Sequence, residues 1–324
     1  MTEQGSGRRL GWLGTGRMGA VLVARLLRAG CDVAVYNRTR AKAQPLADLG
    51  ARVVGSAADL ADRDIVFATV GTPQDLLDGV LGPAGLATAS AAPAVLVDCS
   101  TISVEASQQI RRELAGRGTA LLAAPVMGNP KAAAAGRLTL AVSGPRAAFA
   151  AAEPYLGLLG AGATYVGEGE LARIVKLCHN LFLGIVAQSL AEVTVLAEKS
   201  GISRQAFLAC LNDSVMGSTF TRYKTPAYVN LDFEATFTAT LLRKDFDLGL
   251  AAAREREVPM PVASLVHQTV QSLVGYGLGE SDFAALLVLA AQAAGLNLIS
   301  EGAEVSDGLE PVIPVTLGGG EATP

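Results

Sequence analysis

The chain is expected to fold as an α/β protein: an N-terminal Rossmann-type, doubly wound sheet, a long interdomain helix and an all-helical C-terminal domain. Three observations predict this. Short, nearly continuously apolar β-type runs alternate with helical patterns from Arg9 to about Val166. A glycine-rich turn, Gly14-x-Gly16-x-x-Gly19, lies between the first run and the first helical pattern. After Gly169 the β signal stops and only helical periodicity remains. Parallel strands covered on both faces read as unbroken apolar runs, and repeated strand–helix–strand order builds an open sheet.

The strand candidates are "LGWLG" from Leu10, "DVAVYN" from Asp32, "ARVV" from Ala51, "DIVFATV" from Asp64 and "AVLVDCS" from Ala94. "ALLAAPV" from Ala120, "LTLAVSG" from Leu138 and "ATYVG" from Ala163 complete the set. The first helical pattern, "MGAVLVARLLRAG", stops at Gly30, which supplies a C-cap. From Glu170 to Gly201 a single long helix is predicted. Its apolar positions, among them Leu171, Ile174, Val175, Cys178, Phe182, Ile185, Val193 and Leu196, cover more than one stripe. Such a helix is buried on several sides, against the first domain and a partner subunit. "TATLLRKDFDLGLAAARER" and "PVASLVHQTVQSLVGYG" are further helices. The expected divisions are a dinucleotide-binding domain over 1–166, a helical substrate and dimerisation domain over 167–299 and a flexible tail over 300–324.

Composition narrows the function. With 324 residues, half of them hydrophobic, the chain can bury a sizeable core, and its alanine content favours helix. A net charge of −4 without a long basic run argues against nucleic acid or an anionic membrane as partner. Cys31, Cys99, Cys178 and Cys210 show no C-x-x-C spacing and read as reduced thiols of a cytoplasmic, soluble protein. No uninterrupted apolar stretch reaches the roughly 18 to 20 residues of a membrane span, and the N-terminus lacks a signal-peptide core. His179 and His267 are the only histidines, with no ligand spacing, so no metal is expected.

The turn "GTGRMG" (Gly14, Thr15, Gly16, Arg17, Met18, Gly19) stands where strand meets helix. There backbone N–H groups can approach a pyrophosphate. The second strand ends in Asn37, Arg38 and Thr39, without the acid that binds a ribose 2′-OH. A guanidinium attracts a 2′-phosphate, so NADP is favoured over NAD. Val70, Gly71 and Thr72, after the fourth strand, join the cofactor set. Ser100 and Thr101 close the fifth strand, where open α/β sheets collect ligands, although such a pair also reads as a helix cap. The turn Met127-Gly128-Asn129-Pro130 offers amides for a carboxylate, or is a plain turn. Lys176, Asn180 and Gly184 recur at i, i+4 and i+8 on the long helix. They are either a solvated face or a catalytic line whose glycine leaves room for a ligand. In the catalytic reading Lys176 exchanges a proton with substrate, its pKa lowered by burial and by Arg173 one turn earlier.

"GWLGTGRMG", "NRT", "VDCST", "APVMGN", "KLCHN" and "LLRKD" occur in the order and spacing of the β-hydroxyacid dehydrogenase family, which this chain resembles from about Arg9 to Leu298. The family includes 3-hydroxyisobutyrate dehydrogenase and glyoxylate or succinic semialdehyde reductases. The resemblance implies a 6-phosphogluconate dehydrogenase-like helical C-terminal domain and assembly into dimers or tetramers. It also implies that Lys176 is the acid/base, that Asn180 orients substrate, and that Ser100 and Thr101 lie by nicotinamide and substrate. By the same resemblance the Met127-Gly128-Asn129 turn holds a carboxylate, Lys244 closes over the cofactor and Asp245 is its structural partner. The chain departs from the family pattern at Ala123, where an acid is usual, at Met127 in place of serine and at Asn129 in place of the second glycine. Losing a donor to a charged acceptor is worth about 1.5–3 kcal/mol. The substrate is then bulkier, less anionic, or held by the Asn129 amide. The implied activity is NADP-dependent interconversion of a small β-hydroxyacid with its aldehyde or keto form. An imine reductase, which usually carries Asp or Tyr at the lysine position, and a non-catalytic dinucleotide binder are the alternatives.

Overall fold

The computed structural model describes residues 7–309 of the chain. Nine strands form one sheet: β1 (Leu10–Leu13), β2 (Val33–Tyr36), β3 (Arg52–Val53), β4 (Ile65–Ala68), β5 (Val95–Asp98), β6 (Ala120–Ala123), β7 (Val126–Met127), β8 (Thr139–Ser143) and β9 (Gly162–Gly167). Their spatial order is β3-β2-β1-β4-β5-β6-β8-β7, with β9 beside β8. From β3 to β6 all pairings are parallel, whereas β8 runs antiparallel to β6 and β7. The apolar run "ALLAAPV" reads as one strand but forms two, β6 and β7. Pro125 lies between them and has no N–H to give a ladder.

Between the strands lie α1 (Arg17–Arg28), α2 (Gln44–Ala47), α3 (Pro73–Leu81), α4 (Val104–Ala115), α5 (Pro130–Ala134) and α6 (Arg146–Leu159). Both faces of the sheet are packed, which is why its strands are apolar without alternation. Leu10, Trp12, Val35, Phe67 and Val97 join the core on one face, and Leu13, Ala34, Val66 and Leu96 the core on the other. Trp12 stacks on Phe67 with ring centroids 5.2 Å apart. The order reverses at β1, whose neighbours β2 and β4 diverge in sequence, so the crevice for a ligand opens beyond the carboxyl ends of β1 and β4.

The long helix is α7 (Leu171–Lys199), followed by α8 (Arg204–Asp213), α9 (Thr219–Asn230), α10 (Ala239–Glu255), α11 (Pro261–Leu273) and α12 (Leu286–Ala293). Leu181, Ala187, Leu190 and Ala191 of α7 enter a second core with Tyr228, Leu242, Phe246, Val266 and Leu286. By length and composition α7 could cross a membrane, with a mean hydropathy of 1.6 over its most apolar window. Its polar residues argue otherwise: Arg173 and Asn180 are buried and bonded to carboxylates from other elements. The tail expected from 300 onward is packed as far as the description reaches. Glu301 accepts from the N–H groups of Arg204 and Gln205, Asn230 brackets Ala303 with two bonds, and Leu309 packs on Ala132, Ala135 and Tyr223. A segment without helical or strand periodicity can still be fixed by such side-chain bonds. The rest of the expected tail, 310–324, lies outside the described residues.

Candidate active site

The glycine turn after β1 is built for close approach. Gly14 has φ +94°, and a Cβ there would lie 2.2 Å from the carbonyl oxygen of Thr69; a Cβ on Gly19 would lie 2.1 Å from that of Gly14. These two glycines let β1, the β4 turn and α1 touch. Gly16 differs: nothing lies within 4 Å of its Cβ position. That open space fronts the N-terminus of α1, whose first N–H groups have no side-chain cap. The Thr15 and Thr69 hydroxyls are buried without a partner among the described residues. A cradle of free amides, open at Gly16 and flanked by unpaired hydroxyls, fits a pyrophosphate.

Asn37 fastens the turn to β2, its Oδ1 accepting from the Thr15 N–H at 2.9 Å while its Nδ2 donates to the Thr39 carbonyl. Arg38 is exposed, yet its Nη1 lies 2.7 Å from Asp75 Oδ1 of α3. The acid absent from the end of β2 is thus supplied from another element. Thr72 caps α3, accepting from the Asp75 N–H. Gly14, Thr15, Asn37, Arg38, Thr39 and Thr72 stand outside the cavity wall.

That cavity, of about 470 Å³, is walled by Gly16, Arg17, Met18 and Gly19 at one end and by Val70, Gly71, Ser100 and Thr101 along the sheet. Met127, Gly128, Asn129, Lys176, Asn180, Lys244 and Asp245 complete the set expected from sequence. Ser100 is not a helix cap. Its Oγ accepts from the Val70 N–H at 2.9 Å and so ties the β5 turn to the β4 turn, while Ser103 caps α4. Asn129 caps α5 through its Oδ1 and leaves Nδ2 buried without a partner among the described residues.

Lys176 lies at the heart of this wall and makes no hydrogen bond or ion pair among the described residues. Desolvation lowers its pKa to about 8. Asp245 opposes that shift and Lys244 reinforces it. Arg173 takes no part in it. Its guanidinium turns from the cavity to the fully buried Asp98 at 2.7 Å, to Glu170 at 2.8 Å and to Ser107. Asp245 is more than the partner of Lys244, whose Nζ lies 3.1 Å away. It also accepts a short bond from Asn180 Nδ2. That bond fixes the amide so that Asn180 Oδ1 faces His179 Nδ1 at 2.9 Å. An amide oxygen can only accept, so the proton of His179 sits on Nδ1. Burial lowers the pKa of this imidazole further, which keeps it neutral near pH 7. Gly184 does not make room for a ligand; a Cβ there would meet the Phe246 ring at 2.3 Å, so it admits α10 against α7.

Several wall residues carried no signal in the sequence. Phe220 and Tyr223 come from α9, Phe237 from the loop before α10, Phe283 from the 3-10 turn Phe283–Ala285 before α12, and Arg137 from the turn before β8. They are spread over several elements and belong to no short motif.

A mostly parallel sheet with its crevice at the β1/β4 reversal, a glycine cradle and a desolvated lysine beside a fixed amide define a dinucleotide-dependent oxidoreductase. Residues 9–167 match the model described as the NAD binding domain of 6-phosphogluconate dehydrogenase. Residues 170–290 match the one described as NAD-binding of NADP-dependent 3-hydroxyisobutyrate dehydrogenase. The chain belongs to the β-hydroxyacid dehydrogenase family. Glyoxylate/succinic semialdehyde reductase 1 of Arabidopsis thaliana is 30% identical over 279 residues, covering 86% of this chain and 96% of its own. A Mycobacterium tuberculosis 3-hydroxyisobutyrate dehydrogenase structure with L-serine superimposes with TM-score 0.74 at 26% identity, covering 88% of this chain and 99% of that one. An imine reductase from Pseudomonas sp. shares the fold, with TM-score 0.60 at 23% identity over 88% of this chain and 99% of that one.

Proposed function

We propose that this chain is a cytoplasmic, NADP-preferring reductase of small aldehyde or keto acids, reversible as a β-hydroxyacid dehydrogenase. The observation that carries the reading is Lys176: an ammonium group without a partner among the described residues, in the cavity wall, with a pKa near the working pH. A general acid or base is most effective when its pKa lies near ambient pH. A dinucleotide held at the Gly16 turn and the N-terminus of α1 would supply the hydride. Lys176 gives a proton to the carbonyl oxygen in reduction and takes it back from the hydroxyl in oxidation. Asn180 gives one Nδ2 hydrogen to Asp245 and faces the neutral His179 with Oδ1, which fixes the amide so that its second Nδ2 hydrogen can orient substrate beside Lys176. Lys244, half-exposed beside Asp245, would cover the cofactor, and its charge makes Lys176 release its proton more readily.

The NADP preference rests on Arg38, which must leave Asp75 to take a 2′-phosphate. An exposed ion pair is worth only about 0–1 kcal/mol, less than a charge-assisted phosphate contact. Arg38→Ala should raise the KM for NADPH several-fold without a matching change for NADH, and Asp75→Asn should lower it. Equal KM changes for the two cofactors would remove Arg38 from the assignment.

The central test is turnover of NADPH against glyoxylate, succinic semialdehyde, 2-keto acids and cyclic imines, with Lys176→Ala alongside. We expect acids to be reduced, imines not, and the variant to lose at least about 100-fold in kcat, since acid–base catalysis contributes about 10²–10⁴. An unchanged kcat in Lys176→Ala, or a clear preference for imines, overturns the reading.

A further inference from the structure

Trp12 is the only tryptophan of the chain and is fully buried. It stands on β1 directly opposite Phe67 of β4, and the two rings stack with an interplanar angle of 11°. In this pose the indole edge reaches the glycine turn, where Nε1 donates to the Gly14 carbonyl at 3.1 Å. A Cβ on Gly19 would lie 3.1 Å from the same Nε1, so the indole edge, the Gly14 carbonyl and the first turn of α1 converge at one point. The other end of that peptide is also held: the Thr15 N–H donates to Asn37 Oδ1 at 2.9 Å. The N–H of Gly14 itself is taken by the Tyr36 carbonyl at 2.8 Å. A phenylalanine in place of Trp12 would fill much of the same core and offer this carbonyl no donor.

We propose that Trp12 is a positioning residue of the cofactor cradle: its indole N–H locks the Gly14–Thr15 peptide so that the amides from Gly16 onward stay aimed at a dinucleotide pyrophosphate. The peptide needs a lock because Gly14 sits at φ +94° without a side chain to resist rotation. Glycine adopts positive and negative φ about equally readily. A flip of this plane would turn the carbonyl oxygen onto Asn37 Oδ1, setting two acceptors face to face. It would also swing Gly16, the open end of the cradle, because Gly16 follows Thr15 directly. Trp12 grips the plane from β1 by its carbonyl, and Asn37 grips it from the end of β2 by its N–H. Phe67 in turn keeps the indole from tilting away from the bond. The inference rests on the cradle and on no step at Lys176, so cofactor binding alone tests it.

The test uses the full chain and two variants that separate the donor from the ring. Trp12→Phe keeps an aromatic ring on Phe67 and removes the N–H, whereas Phe67→Leu removes the stack and keeps the N–H. NADP is titrated by calorimetry into each, with melting temperatures measured alongside. We expect both variants to melt lower, the Kd for NADP to rise about fivefold or more in Trp12→Phe, the scale of one lost hydrogen bond, and to stay within about twofold in Phe67→Leu. ADP-ribose 2′-phosphate, which carries the pyrophosphate and no nicotinamide, should show the same loss. Equal weakening in the two variants, or none in Trp12→Phe, would make Trp12 an ordinary core residue and overturn the proposal. A second measurement needs no variant. In wild-type protein labelled with ¹⁵N-tryptophan the single indole N–H gives one NMR signal, and adding NADP should shift it because the Gly14 carbonyl joins it to the cradle. A signal that saturating NADP leaves unmoved overturns the positioning role even where Trp12→Phe does not fold.

Discussion

At Lys176 the balance between desolvation and attraction decides the chemistry. Burial outweighs the nearby carboxylate of Asp245, so the ammonium is less stable than in water and its pKa falls to about 8. Reduction requires the protonated form and oxidation the neutral one. The kcat/KM for carbonyl reduction should therefore be level below pH 8 and fall about tenfold per unit above it. For alcohol oxidation it should rise with pH and level off above 8. Rate profiles in both directions check this, and a reductive profile still level at pH 10 would contradict it. The sequence placed Lys176 and Asn180 on one helix line but misjudged their neighbours. Arg173, one turn away in sequence, turns to Asp98, and the charge that acts on Lys176 comes from Lys244 and Asp245 of α10. Which of two side chains near in sequence faces a cavity depends on partners that only folding supplies.

The junction of α7 with the sheet is where an element becomes functional. Arg173 Nη2 bonds Asp98 at the end of β5, and its Nη1 reaches the Ser100 carbonyl. Asp98 Oδ1 accepts from the Ser100 N–H, and Arg111 of α4 meets Glu170 at 2.7 Å. One buried network thus sets the height of α7, and with it Lys176, against the Ser100-Thr101 turn. Removing one member of a buried ion pair strands its partner and costs about 3–5 kcal/mol. Arg173→Ala should lower the unfolding free energy by that amount in denaturant titration. A loss under about 1 kcal/mol would show that the pair contributes little to holding the helix. Strand periodicity in the sequence identified the elements that meet here, whereas the reversal of direction between β6 and β8 shows only in their pairing.

For the whole molecule, the largest exposed apolar side chains gather on the C-terminal helices. Leu196, Leu265 and Tyr276 are each about 70% exposed and line one concavity, and Phe182 and Val193 add to the apolar surface of α7. A soluble monomer seldom leaves such a patch in water, so we expect a dimer or tetramer built through these helices. Light scattering should give a mass at least twice 33.1 kDa, and Leu196→Glu with Leu265→Glu should shift it toward the monomer. A monomeric wild type would refute the assembly. The alternation of apolar runs with helical patterns, the glycine turn and the lysine line were legible because they are local: each depends on backbone geometry within one or two turns of chain. Arg38 meeting Asp75, Gly184 receiving Phe246 and the packed 300–309 segment were decided by the tertiary structure alone. Each joins residues from separate elements, and a pairing across space leaves no period in a single sequence.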